Sequence, residues 1–372
     1  MKTFIRTTIF ALLALLSLSS CINDDDNITT QNEEIAINLI VSLGPTQKTR
    51  AYSSETDAIG NEYFINVDPS VQDFELLVYN TNGTLRTKAV ITGATKMNYN
   101  TYKLEGKIYT FKEDDLNKDY KFVVIANSKG GSCQTRSFDW LATGNEENLY
   151  SQLKYDFNNP ESFTEKILKE STEESKNVER IPMWGSATTK IVEKRTSLNI
   201  NLMRAMAKVT VCTAAGLDKT IKSVKLVGYN NAGMLTPTNA ASASNKNTYE
   251  VNSSNGEAEL NVPGDASFVT TELPFATYEK NGTKYHCLYI PEQAADADSK
   301  IVVKIDGEEY ELRFAKYDAE HNSKNPGDRY PVLRNNWYNY VINSVSPKGL
   351  DINLKYYVAD WNEKTATNIT FD

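Results

Sequence analysis

Histidine is nearly missing from this chain: His286 and His321 are the only two among 372 residues. Neither belongs to an H-E-x-x-H motif or has a partner four residues away, so a histidine-based metal or acid/base site would need distant partners. Cysteine is also scarce, and Cys21, Cys133, Cys212 and Cys287 include no C-x-x-C pair, which leaves no zinc pattern and no disulfide framework. Cys212 and Cys287 stand in apolar strand-like runs, the setting of buried free thiols, and His286 between Tyr285 and Cys287 reads as a structural histidine. There is no G-x-S-x-G elbow, Walker loop or G-x-G-x-x-G loop. Basic residues form no block interleaved with aromatics, and the net charge of −8 argues against a nucleic-acid partner.

Carboxylates are plentiful but poorly placed for chemistry. Asp115-Leu116-Asn117-Lys118-Asp119 opens like an EF-hand loop, then departs from it. Tyr120 stands where the loop needs glycine and Ala126 where it needs the closing glutamate, so a turn between strands is expected. Asp296, Asp298, Asp306, Glu308 and Glu309 cluster around a second turn, where charge runs usually coat solvated surface. No catalytic residue, metal or cofactor is expected from these patterns.

The N-terminus carries a different kind of signal. Lys2 and Arg6 precede an apolar run over residues 9–18, then small residues lead to Cys21, the order of a secretory signal spanning 1–20. The run is far shorter than the roughly 20 residues a membrane-spanning helix needs. Leu18-Ser19-Ser20-Cys21 resembles the lipobox of bacterial lipoproteins, which makes Cys21 the expected lipidation site and the first mature residue. Asp24, Asp25 and Asp26 look like the acidic surface-export tag of Bacteroidales lipoproteins and equally suit a solvated tether, so 21–34 reads as a lipidated acidic tether.

Beyond the tether the pattern is that of strands. Ile35, Ile37, Leu39, Val41 and Leu43 alternate with Ala36, Asn38, Ile40 and Ser42, the period of a strand with one buried face. Residues 45–61 are polar and carry Lys48 and Arg50, an exposed stretch open to proteases. Strands are expected over 74–79, 104–111 and 120–126, with Asn82-Gly83 as a hairpin turn. A helical interlude is expected within 138–176, where Asn159-Pro160 suits a helix start and Phe163, Ile167 and Leu168 form an apolar face.

A second strand-rich half opens at Ser197. Its apolar parity switches at Leu202-Met203, which predicts a bulge or the junction of two strands. Residues 236–257 form a polar loop, and 301–305 with 309–314 make a hairpin around Asp306-Gly307. The C-terminus is strand-like: Leu350, Ile352, Leu354, Tyr356 and Val358 alternate strictly, and Trp361, Ile369 and Phe371 continue more weakly. The fold class is therefore all-β, with two β-sandwich-like domains over 35–185 and 186–372 and a short helical insertion in the first.

Several segments together carry a family resemblance: Val123-Val124-Ile125-Ala126-Asn127, Ile181-Pro182-Met183-Trp184-Gly185, Leu202-Met203-Arg204-Ala205-Met206-Ala207-Lys208-Val209, Asn336-Trp337-Tyr338 and Val358-Ala359-Asp360-Trp361. In this order, behind a lipobox, the set resembles the fimbrillin family of Bacteroidales, the FimA/Mfa-type or type V pilins. The resemblance implies two transthyretin-like sandwich domains, export as an outer-membrane lipoprotein, and assembly into surface fimbriae with other fimbrial subunits. In the family's stalk pilins an arginine-specific surface protease removes the first strand, and a neighbour's strand fills the vacated groove. Here a cut between Arg50 and Ala51 would release the strand of Ile35 to Leu43, and the donor would be the C-terminal strand, with Ile352, Leu354, Tyr356, Val358, Trp361, Ile369 and Phe371. A tip adhesin, an anchor, or a glycan-binding surface lipoprotein is the alternative reading, and a surface hydrolase ranks last.

Overall fold

Alternating apolar and polar side chains become pleated strand from the first described residue onward. The computed structural model describes residues 33–43, 74–98, 101–127, 133–135, 144–169, 180–192, 194–237, 260–280, 282–346 and 349–358. The described elements open with strands β1 (Glu33–Leu43), β2 (Phe74–Asn80), β3 (Leu85–Asn98), β4 (Thr101–Phe111) and β5 (Asp119–Ala126). Strands β6 (Cys133–Thr135), β7 (Lys154–Phe157), β8 (Met183–Lys190) and β9 (Arg195–Arg204) follow, with helices α1 (Glu146–Gln152) and α2 (Pro160–Lys169) between β6 and β8. The second half holds β10 (Ala207–Thr213), β11 (Ile221–Asn230), β12 (Ala232–Met234), β13 (Phe268–Pro274) and β14 (Ala276–Lys280). After these come β15 (Thr283–Ile290), β16 (Lys300–Ile305), β17 (Glu308–Leu312), β18 (Asn336–Ser346) and β19 (Gly349–Val358).

The first nine strands, without β6 and β7, close into a barrel in the order β1-β4-β3-β2-β5-β8-β9. The remaining chain builds a five-stranded sheet, β14-β15-β10-β18-β19, and a four-stranded sheet, β13-β11-β16-β17. The fold is thus all-β with several sheets. The changeover between them differs from the expected one near residue 185: β8 and β9, from 183 to 204, belong to the barrel. The reason is pairing, since β8 lies along β5 and β9 lies along β1. The parity switch at Leu202-Met203 is the end of β9, and Ala205-Met206 links it directly to β10.

The helical interlude also differs in its attachment. It carries β7 besides the two helices, and β7 pairs with β6, which precedes the interlude, and with β12 from the second half. Tyr155 lies so close to Gly233 that a Cβ there would meet its ring carbon at 2.3 Å, so only glycine admits this pairing. The Tyr155 hydroxyl donates to the Ala205 carbonyl at 3.0 Å, Phe157 meets Tyr229, and Phe163 of α2 meets Tyr289 edge to face. Helix α2 therefore uses the predicted Phe163 and Ile167 face, but against the second set of sheets.

Helix α1 explains why β5 reads, from Phe122 to Ala126, as an unbroken apolar run rather than an alternation. Both of its faces are covered, and every residue from Tyr120 to Ala126 is buried. Buried Lys121 pairs with the Glu146 carboxylate at the start of α1, which also accepts from the Tyr150 hydroxyl, and Tyr150 stands edge to face on Trp184. Asn145 caps the helix by accepting from the Asn148 N–H at 2.8 Å. The Asp306-Gly307 hairpin is present as expected, with φ of 51° and 94° at the two turn residues, the left-handed pair that a two-residue turn requires.

Candidate functional site

β1 is the strand that closes the barrel. On one side it runs antiparallel to β4, with Ile37 opposite Gly106, Leu39 opposite Leu104 and Val41 opposite Tyr102. On the other it runs parallel to β9, with Leu39 beside Leu198 and Val41 beside Ile200. Parallel neighbours cannot be joined by a tight hairpin, so β1 reaches this slot from far away in sequence.

The period of two does the rest. Ile35, Ile37, Leu39 and Val41 face inward and are 0–2% exposed, whereas Ala36, Asn38 and Ile40 between them are half-exposed. Burying each of the four is worth roughly 1.5–3 kcal/mol, so together they contribute roughly 6–12 kcal/mol as an upper estimate. That rivals the whole net stability of an ordinary domain, about 5–15 kcal/mol. Removing β1 without a substitute would also bare the ladder edges of β4 and β9. At the mouth of the slot Glu34 pairs with Lys107 at 2.8 Å, and hydrogen bonding to Glu34 raises the pKa of this exposed lysine.

β19 is placed differently. It pairs antiparallel with β18 over its whole length, from Gly349 against Ser346 to Val358 against Asn336, and is the last strand of its sheet. Its other edge carries no ladder among the described residues. Ile352 is buried opposite Ile342, and Leu354 and Tyr356 stand opposite Tyr340 and Tyr338. Of the other expected site residues, Leu43 ends β1 opposite Leu202. Cys21, Arg50, Ala51, Trp361, Ile369 and Phe371 lie outside the described residues.

The remaining candidates are engaged in structure. His286 is buried in β15, where burial first and Lys284 second lower its pKa from 6.5 to about 4. Cys212 and Cys287 are buried and not joined in a disulfide. Asp115 accepts from the Lys112 N–H and from Arg86, while Asp298 pairs with Arg313 and Asp306 with Lys219. Among the described residues no three His, Cys, Asp or Glu side chains are grouped to hold a metal ion. Sequence reasoning missed the fully buried ion pair of Glu292 and Arg334, 2.7 Å apart, which ties the segment at Asn261 to the start of β18. Both residues sit in polar-looking connections, and only their burial sets them apart.

These features define an all-β protein whose first described strand seals one barrel and whose last described strand lies at the edge of another sheet. The family model of the Fimbrillin-A associated anchor proteins Mfa1 and Mfa2 matches residues 52–367, and the chain belongs to this family. It is therefore a component of fimbriae, which are cell-surface structures. Among solved structures, the fold resembles the C-terminally truncated tip fimbrial protein Mfa3 from Porphyromonas gingivalis, with a TM-score of 0.52 and 13% identity over 88% of this chain and 100% of that one. A fimbrial assembly protein from Parabacteroides distasonis is similar at a TM-score of 0.48 and 12% identity over 88% of this chain and 99% of its own. No curated protein matches the chain.

Proposed function

We propose that this fimbrial protein is a structural subunit made as a lipoprotein precursor and joined to its neighbours by exchange of β1 for a strand of another subunit. Lipid on Cys21 holds the precursor at the outer membrane, and an arginine-specific surface protease cuts between Arg50 and Ala51. The cut releases β1, and the C-terminal segment of a neighbour enters the slot between β4 and β9. Each half then acts as a transthyretin-like sandwich domain. The observation that carries this reading is the position of β1: a single strand, remote in sequence from β9, supplies four buried side chains and two ladders to one closed sheet. A slot of that kind needs a strand at all times, and a strand added from another chain satisfies both burial and backbone pairing. β19 suits the donor role because leaving its own sheet breaks only one ladder.

A second reading, an anchor that keeps its lipid and β1, is supported by the description of the family. Mass spectrometry of the mature N-terminus on native cells separates the two. A chain beginning at Ala51 supports trimming and exchange; an acylated Cys21 still joined to β1 overturns them in favour of the anchor. Arg50→Ala is expected to accumulate as an untrimmed lipidated monomer, and its normal polymerisation would sink the proposed cleavage.

A further inference from the structure

β1 and the last described strand share more than a period. Residues 35–43 read Ile-Ala-Ile-Asn-Leu-Ile-Val-Ser-Leu, and residues 350–358 read Leu-Asp-Ile-Asn-Leu-Lys-Tyr-Tyr-Val. Set side by side, Ile37-Asn38-Leu39 coincides with Ile352-Asn353-Leu354, and Ile35, Ile37, Leu39, Val41 and Leu43 each meet an apolar residue of β19. Other alignments lose this match. A shift of one residue turns polar side chains into the barrel. A shift of two puts Lys348 in the buried place of Ile35, or, in the other direction, Asp360 in the place of Leu43.

The same alignment places charge on the outer face. Ala36 lies directly opposite Lys107 of β4 and directly beside Arg195 of β9. Residues so paired project from one face of the sheet. β1 thus sets a methyl group between two cations, and the carboxylate that Lys107 meets comes from Glu34, one outward position away, at 2.8 Å. In the alignment Asp351 takes the place of Ala36, which brings a carboxylate between Lys107 and Arg195. Asn353 repeats Asn38, and Lys355 falls opposite Lys103, whose ammonium pairs with Glu105 at 2.6 Å. Tyr356 replaces Val41 opposite Tyr102, as a cross-strand aromatic pair.

On the reading that β1 is exchanged, on which this rests, we propose that the slot between β4 and β9 takes Leu350 to Val358 of a second copy of this chain, with Asp351 between Lys107 and Arg195 fixing the register. The apolar row fills the slot, and the charge selects which strand fills it and where it stops. At the outer face β1 offers Lys107 one carboxylate, whereas the incoming strand offers one carboxylate to Lys107 and Arg195 together. Such exposed pairs contribute little to affinity, but they separate one register from another. In its own sheet Asp351 is exposed opposite Ser344, so a substitution there leaves the donor's fold intact.

The test uses full-length chains in native cells, with substitutions on separately tagged copies so that a disulfide between them joins two molecules. After mild oxidation, Lys107→Cys on one copy is expected to link to Asp351→Cys on the other, the joined peptides being identified by mass spectrometry. A link from Lys107→Cys to Asn353→Cys instead would keep strand exchange and overturn this register. The mature N-terminus in the same cells tells the other failures apart. No link on chains that begin at Ala51 overturns the proposed occupant alone, and no link on chains that keep Cys21 and β1 overturns the exchange and the register with it. Charge is tested with Glu105→Cys and Asn353→Cys, the next outward pair, as the reporter. Adding Asp351→Lys is expected to cut the linked yield about fivefold, the effect of a lost exposed ion pair, and Lys107→Glu with Arg195→Glu to restore it. An unchanged yield would overturn the role given to Asp351.

Discussion

β1 and β19 look alike as sequence, each with large apolar residues at every second position, yet the fold uses them in opposite ways. β1 has a neighbour on both sides, parallel on one and antiparallel on the other, and its inward side chains are sealed. Among the described residues β19 has one neighbour, β18, and ends its sheet. The difference teaches that period two reports which face is buried and nothing about how many ladders the backbone joins. A strand with two ladders can leave only if another replaces it, whereas a strand with one can peel away at the cost of that ladder.

The largest effect is expected from a charge placed in the barrel seam. Leu39→Asp buries an unpaired carboxylate and should destabilise the chain by about 4 kcal/mol or more, while Asn38→Asp, half-exposed on the same strand, should change stability by about 0.5 kcal/mol or less. Ile352→Asp should fall between them, because β19 can detach locally to hydrate the charge. Urea unfolding of the three variants checks the order. Equal damage from Asn38→Asp and Leu39→Asp would show that β1 faces the other way, and equal damage from Leu39→Asp and Ile352→Asp would erase the contrast between the strands.

Acid should act next, and on one side of the comparison only. His286 lies in the sheet of β19, and its folded pKa is held down at about 4 against 6.5. Below the unfolded value the unfolded chain takes up a proton that the folded chain refuses, so this contribution is complete above about pH 6.5 and is lost as the pH falls towards about 4. Hydrogen exchange, corrected for intrinsic rates, should show β10, β15, β18 and β19 loosening over that window before β1 does. His286→Phe should remove that part of the pH dependence. If β1 loosens first, the two sheets do not differ in the way described. The smallest effect belongs to the exposed pair at the mouth of the slot: Lys107→Ala should leave the melting temperature unchanged, because solvent screens the ion pair with Glu34. A clear loss would mean that the entry to the β1 slot is held electrostatically.

Much of the local structure was legible because its causes are local. The inward set Ile35, Ile37, Leu39 and Val41, the Asp306-Gly307 turn, and the Phe163 and Ile167 face of α2 each follow from side-chain period or turn stereochemistry within a few residues. The boundary near residue 185 was not legible, since whether β8 and β9 join the first sheet depends on β5 and β1, far off in the chain. The same holds for β7, whose partner β12 is chosen by the space that Gly233 leaves for Tyr155.

The candidate sites divide along the same line. By itself the sequence determined the all-β class, the strand character of both ends of the described chain, the scarcity of metal-binding side chains and the family, because these rest on composition, short-range period and motif order. Only the tertiary structure decided that β1 bridges β4 and β9, that β19 lies at an edge, that Glu292 meets Arg334, and that Lys107 and Arg195 flank one position of β1. Those are questions of which distant segments share a ladder or a buried volume. Sequence spacing carries no record of that, because ladder partners and desolvation are set by the packing of the whole chain.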